Sequence, residues 1–164
     1  MKFTVVQRYR SDAASVQRAY ADPELYPRLL GLPRLGGIEV LGHRSTGSEA
    51  DLRVRFRFTG DLPAAATAVV DPNRLTWVQE SHHDLDGATT SFRLLPDHYA
   101  DRLQASGRYR VTALPAGGST RELTGTLKVR ALLVAARVEE SIVAGLREYL
   151  EAEAPVVDRW IDEG

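Results

Sequence analysis

Residues 132–163 read LLVAARVEESIVAGLREYLEAEAPVVDRWIDE. Within them Val138, Ile142, Leu146, Tyr149, Leu150, Val156, Val157, Trp160 and Ile161 recur at spacings of three and four. That spacing places them along one side of an α-helix. Arg137, Glu139, Glu140, Arg147, Glu148, Glu151, Asp158 and Arg159 take up much of the remaining surface. A helix from about Leu132 to Glu163 would run roughly 45 Å at 1.5 Å per residue, longer than a compact domain of this size needs. Pro155 cannot donate to the carbonyl of residue 151 and clashes with it, which predicts a kink or break over 150–154. We read it as a bend that keeps Trp160 and Ile161 against the core, rather than as a hinge.

Working outward, almost everything upstream alternates with period two. The alternation is cleanest over 49–59, where Leu52, Val54, Phe56 and Phe58 share one phase and Arg53, Arg55 and Arg57 the other. Such a strand has one buried and one wet face. Strands are also expected over 2–10, 37–44, 74–83, 89–95, 101–114 and 121–130, separated by turn signals such as Asp86-Gly87 and Pro115-Ala116-Gly117-Gly118. Mid-strand Gly107 and Gly125 mark places where a curved sheet bends or bulges. After the first strand, Ser11 or Asp12 can cap a short helix, and Asp22-Pro23 starts a second that carries Tyr26, Leu29 and Leu30. Asp61, Pro63 and the alanine run after it predict a further helical turn through about Val70, with a strand over 64–70 as the competing reading.

The order is strand, two short helices, six strands and a long helix. This makes the chain α+β: a seven-stranded curved antiparallel sheet with the C-terminal helix across its concave face. We find no linker or repeat, so residues 1–164 are expected to form a single domain. The 164 residues suffice for a core with an internal cavity. A net charge of −1 provides no global field to attract nucleic acid or anionic lipid. The chain has no cysteine, which excludes disulfides and thiolate chemistry and is compatible with a cytoplasmic protein. The N-terminus carries charge too early for a signal peptide, and no apolar run reaches the ~20 residues of a membrane span. Integral membrane association is therefore not expected; the oligomeric state is left open.

This pattern resembles the START-like (SRPBCC, helix-grip) superfamily, which includes the birch-pollen allergen, polyketide cyclases and lipid-transfer domains. The resemblance rests on Ser11-Asp12-Ala13-Ala14-Ser15-Val16 and Tyr20-Ala21-Asp22-Pro23 after the first strand. It also rests on Leu127-Lys128-Val129, Val138-Glu139-Glu140 and Gly145-Leu146-Arg147-Glu148-Tyr149-Leu150 near the end. Leu62-Pro63-Ala64-Ala65 before a strand is similar to a bacterial branch known only as a domain of unknown function. Ala131-Leu132-Leu133-Val134-Ala135-Ala136 replaces the superfamily's usual Pro-Leu-Val-Gly-Gly linker, so the helix start departs from the pattern. The resemblance implies a cavity for a hydrophobic small molecule (lipid- or polyketide-like), or an interaction module whose cavity has shrunk.

Candidate ligand-binding residues are Phe56, Trp77, Phe92 and Tyr109 on the apolar phase of their strands, and Ile142 and Leu146 on the helix. Gln79 shares that inward phase, and by resemblance Tyr26 and Leu30 border the pocket mouth. The competing reading is solid core, since such side chains commonly pack on each other. Ser81 reads as a residue near a solvated strand end. His82 and His83 point to opposite faces and flank a turn, so they read as solvated rather than as metal ligands. The arginine row 53, 55 and 57 reads as a wet face, with Glu80 facing water beside it. No Ser/His/Asp set, paired carboxylates, phosphate loop or dinucleotide fingerprint is present, and no cofactor or catalytic residue is assigned. The leading expectation is non-catalytic binding or carriage of a hydrophobic small molecule. A cyclase- or dehydratase-type enzyme is the first alternative, and a protein-interaction module with a filled core the second.

Overall fold

The computed structural model describes residues 1–62, 64–68 and 70–164, with the backbone alone for Ala65. Strand β1 (Lys2–Tyr9) leads into helix α1 (Ala13–Ala21) and a 3-10 helix over Pro23–Leu29. Six strands follow: β2 (Leu35–Ser45), β3 (Glu49–Phe58), β4 (Thr76–Asp84), β5 (Thr89–Pro96), β6 (Leu103–Ala113) and β7 (Ser119–Val129). Between β3 and β4 lies α2 (Ala64–Thr67), and α3 (Ala135–Glu163) ends the chain. The sheet order is β1-β7-β6-β5-β4-β3-β2, every neighbouring pair antiparallel. This is the expected helix-grip arrangement.

Local chemistry accounts for the helix boundaries. Asp12 caps α1 by accepting from the Ser15 amide, and Asp22 caps the 3-10 helix by accepting from the Glu24 amide. The helical reading of 61–70 holds for Ala64–Thr67, and no strand forms there among the described residues; Pro63 and Val69 lie outside them. The last helix begins at Ala135, three residues later than its apolar pattern suggests. Leu133 sits at φ 67°, where no right-handed helix can pass, and Leu132 and Leu133 are 91% and 99% exposed. No break occurs at Pro155: α3 continues through it to Glu163, and Trp160 and Ile161 stay packed against the core as expected. Pro155 is on the exposed side, so only an outward-facing helix bond is lost.

The main core gathers α1, the 3-10 helix, the inward phase of β3 and the second half of α3. Val16, Leu25, Leu29, Leu52, Val54 and Val157 are essentially inaccessible there. A smaller cluster of Val5, Tyr109, Leu123 and Leu150 ties β1, β6 and β7 to the middle of α3. Gly107 and Gly125 face each other across β6 and β7 in unbroken register, so they mark no bulge. Their role is space. A Cβ on Gly125 would lie 2.5 Å from the Phe3 ring, and one on Gly107 would lie 2.9 Å from Phe92 and 2.5 Å from the Thr124 carbonyl. The register shifts fall instead in β2, between Leu35 and Gly37 and between Val40 and Gly42.

Asp158 does not belong to the solvated side of α3. Its carboxylate is buried, accepting from the Arg10 amide (3.0 Å), the Ser11 amide (3.1 Å) and the Ser11 hydroxyl (2.7 Å). It thereby satisfies the backbone where β1 turns into α1. Burial pushes this carboxyl's pKa up, but the three donors outweigh that and hold it below the ordinary aspartate value.

Candidate functional site

Between the concave face of the sheet and α3 lies a cavity of about 280 Å³. A larger hollow of about 530 Å³ opens directly to solvent between the outer edge of β1 and α3, around Pro155. The inner cavity is the candidate site because its walls are the inward side chains of the sheet itself.

The outer half of the cavity is apolar. Phe56 and Trp77 stack with ring centroids 5.8 Å apart, and Tyr26 meets Phe56 edge-on at 6.5 Å. Phe92 packs against Tyr109 at 5.2 Å, and Ile142 and Leu146 of α3 close the opposite wall. Thus Tyr26, Phe56, Trp77, Phe92, Tyr109, Ile142 and Leu146 all stand on the cavity wall, and Gln79 with them. Leu30 does not: it is 58% exposed at the end of the 3-10 helix and turned away from the cavity. The extended conformation of Leu30 ends the helix one residue after the buried Leu29, which takes the inward place. At the rim, Arg34 bonds Glu148 of α3 (Nε–Oε2 3.1 Å) and the Asp61 carbonyl (3.3 Å), spanning loop and helix.

The inner end is polar. Arg121 of β7 is 5% exposed, with its guanidinium between two rings, 3.4 Å from the Tyr20 centroid and 3.5 Å from that of Tyr109. Its Nη1 donates to Gln7 Oε1 at 3.1 Å and lies 3.7 Å from Glu153 Oε2. Glu153, 3% exposed on α3, accepts from Gln7 Nε2 (2.9 Å), the Tyr20 hydroxyl (2.6 Å) and the Tyr149 hydroxyl. The Tyr9 and Tyr20 hydroxyls lie 2.8 Å apart, and Gln7 Nε2 also reaches the Leu150 carbonyl. Such satisfaction is what a buried ion pair requires, since each ion costs several kcal/mol to desolvate.

The electrostatics follow from the packing. Burial opposes the charge on Arg121, but the Tyr20 and Tyr109 rings on its two faces and the Glu153 carboxylate outweigh it and keep the guanidinium protonated. Burial, reinforced by Glu153, holds the Tyr20 and Tyr149 hydroxyls well above the ordinary phenol value. Tyr109 is pushed up to about 12 by burial, with Arg121 opposing. These phenols are therefore neutral donors at physiological pH.

Ser81 and His83 correct the sequence reading. Both are buried, with Ser81 Oγ 3.0 Å from His83 Nε2 and Thr90 Oγ1 3.0 Å from His83 Nδ1. Burial first, and Arg121 second, lower the His83 pKa to about 3, so the imidazole is neutral. The end of β4 is not solvated on this face, because α1 covers it: Gln17 Nε2 donates to the Asp84 carbonyl at 2.6 Å. His82 points outward to Asp51 (Nδ1–Oδ1 2.8 Å), so the two imidazoles do separate.

Arg121, Glu153 and Gln7 were not singled out by sequence reasoning, although a signal existed. Arg121 shares the phase of Leu123 and Leu127, and Glu153 lies four residues from Tyr149 and three from Leu150 on the apolar side of α3. A charged residue on an apolar phase marks either an error of register or a buried network.

The family model described as "Protein of unknown function (DUF2505)" matches residues 4–161. The chain belongs to this family. No curated protein matches the sequence. Among solved structures, a Thermus thermophilus protein superposes with a TM-score of 0.70 at 13% identity, over 99% of this chain and 98% of that one. Zhui aromatase/cyclase from a Streptomyces species gives 0.68 at 18% identity, over 99% and 94%. A START superfamily protein from Mycobacterium smegmatis gives 0.62 at 11%, over 99% and 97%. These likenesses establish the START-like fold of this DUF2505 member. Among the described residues, no helix is long and apolar enough to cross a membrane.

Proposed function

We propose that this chain binds and carries a hydrophobic small molecule in the cavity between sheet and α3. The observation that carries the reading is the hollow of about 280 Å³, walled by Phe56, Trp77, Phe92, Ile142 and Leu146. That volume is close to the lower end of small-molecule sites, and an aromatic wall with a few placed polar groups is their usual composition. A filled-core interaction module would leave no such space. The proposed contacts are Tyr26, Phe56, Trp77, Gln79, Phe92, Tyr109, Ile142 and Leu146. The test is native mass spectrometry of protein purified from cells, followed by thermal shift against a lipid and polyketide panel. A retained mass, or a Tm that rises with ligand concentration, supports the reading. Neither appearing across the panel counts against it.

A cyclase- or dehydratase-type enzyme is the second reading, favoured by the convergence of Arg121, Glu153, Tyr20, Tyr109 and Tyr149 on one end of the cavity. Two neighbours of the same fold are enzymes by name, the aromatase/cyclase above and norcoclaurine synthase from Thalictrum flavum. Carriage ranks first because the Glu153 carboxylate is already engaged by Gln7, Tyr20 and Tyr149. A general base must reach the proton it removes, and these donors occupy the oxygens it would use. Turnover of a ketone-bearing test substrate that survives Tyr109→Phe but not Glu153→Gln would reverse the ranking.

A further inference from the structure

We infer that the inner end of the cavity receives an uncharged oxygen acceptor, such as a ketone, ester or amide carbonyl, on an otherwise apolar ligand, and discriminates against an ionised carboxylate. This rests on the binding function proposed above and specifies its ligand.

The geometry supplies donors. Arg121 and Tyr109 both stand on the cavity wall, and Gln7 takes one of the five guanidinium N–H groups. Stacking between Tyr20 and Tyr109 closes both faces of the guanidinium, so its remaining N–H groups can be reached only in its plane. An oxygen placed there beside the Tyr109 hydroxyl would accept from a charged and a neutral donor together.

Charge decides which oxygen. Arg121 is not an unpaired cation awaiting an anion: Glu153 lies 3.7 Å away and balances it inside the same buried cluster. A ligand carboxylate would add a second negative charge near Glu153, and the cavity's other arginine among the described residues, Arg34, stands at the rim already paired with Glu148. His83 cannot supply a cation, because it is buried between Ser81 and Thr90 and holds its neutral form. An uncompensated ion in such surroundings is strongly disfavoured, whereas a carbonyl needs only donors.

The layout adds a second contact. Gln79 lies on the same inward phase as His83, four residues nearer the Trp77 end, hence roughly 13 Å along the strand. Its side-chain amide has no hydrogen-bond partner among the described residues. A ligand anchored at Arg121 would pass its apolar body over Phe92 and reach Gln79 partway to the mouth.

The experiment compares three two-ring probes of nearly one shape: 2-acetylnaphthalene, 2-ethylnaphthalene and 2-naphthoate. Binding is measured by calorimetry and fluorescence on the full chain, its Tyr109→Phe variant and its Arg121→Met variant. The ketone should bind about tenfold or more tighter than the hydrocarbon, and tighter than the carboxylate. Tyr109→Phe keeps the ring that covers Arg121 and should narrow the preference for the ketone ~3–10-fold, which keeps the test decisive if Arg121→Met fails to fold. Equal affinity for ketone and hydrocarbon overturns this inference while leaving the binding function standing. So does 2-naphthoate binding as tightly as the ketone. Failure of all three probes to bind removes the cavity as a binding site, and this inference with it.

Discussion

An arginine–glutamate pairing occurs on each side of the sheet, and the two sides use it in opposite ways. On the convex face, Glu80 of β4 lies between Arg53 of β3 (3.1 Å) and Arg93 of β5 (2.6 Å), with all three side chains open to water. Arg55 likewise meets Glu39 at 3.5 Å and Asp97 at 3.3 Å. On the concave side, Arg121 of β7 and Glu153 of α3 are 3.7 Å apart and buried among four tyrosines and Gln7 at the inner end of the cavity. The longer pair is the more consequential one. Outside, water can replace either partner; inside, every donor and acceptor must be supplied by the protein.

The sharpest way to break this contrast is Glu153→Ala. It strands a buried guanidinium and should lower stability by about 3–5 kcal/mol, read as a fall in the denaturant midpoint. The double variant Arg121→Met with Glu153→Leu should recover much of that loss, because it removes both ions and fills their space. A double variant worse than both singles would show that the pair is not the unit described.

The next effect is a pH dependence set by His83. Its folded pKa, about 3, lies below the ordinary histidine value of 6.5, so the unfolded chain binds more protons between those limits. Stability therefore rises with pH across that window and falls on acidification, by about 1.4 kcal/mol per pH unit at most. Between pH 6 and pH 4 the wild type should lose about 2–3 kcal/mol more than His83→Gln. Equal slopes for the two proteins would mean that His83 is not buried in its neutral form.

Asp158 is intermediate, buried but within reach of Arg10, whose Nε lies 3.8 Å away at the surface. Asp158→Asn should cost about 1–3 kcal/mol at pH 7, since an ionised acceptor of three hydrogen bonds is lost. The carboxyl's pKa is depressed in the fold, so this contribution is present above the unfolded value near 4 and fades as pH falls through the folded one. The gap between wild type and variant should therefore shrink in acid. The smallest effect is Glu80→Gln on the outer face, expected at under ~1 kcal/mol and reduced further by salt. A larger loss at Glu80 than at Glu153 would invert the comparison.

The outer face and the apolar half of the cavity were legible from sequence, because period-two alternation separates Arg53 from Val54 without any knowledge of neighbours. The same rule put Phe56, Trp77 and Tyr109 on the inner face. What misled was polarity: at Ser81, His83 and Asp158 it suggested water, but the packing of α1 and α3 excludes it. Leu30 is a different case, since the family resemblance and not periodicity placed it at the pocket mouth. The 3-10 helix ends at Leu29, and Leu30, extended beyond it, is exposed.

From its own pattern the chain determined seven strands, their antiparallel succession and one long amphipathic helix, since these depend on periodicities read over a few residues at a time. Only the tertiary structure decided that Arg121 and Glu153, 32 positions apart, become partners, and that Gln7 and the tyrosines complete them. Charge neutralisation in a dry interior is a property of what surrounds a group. No periodicity in the residues on either side records which distant side chain will be there.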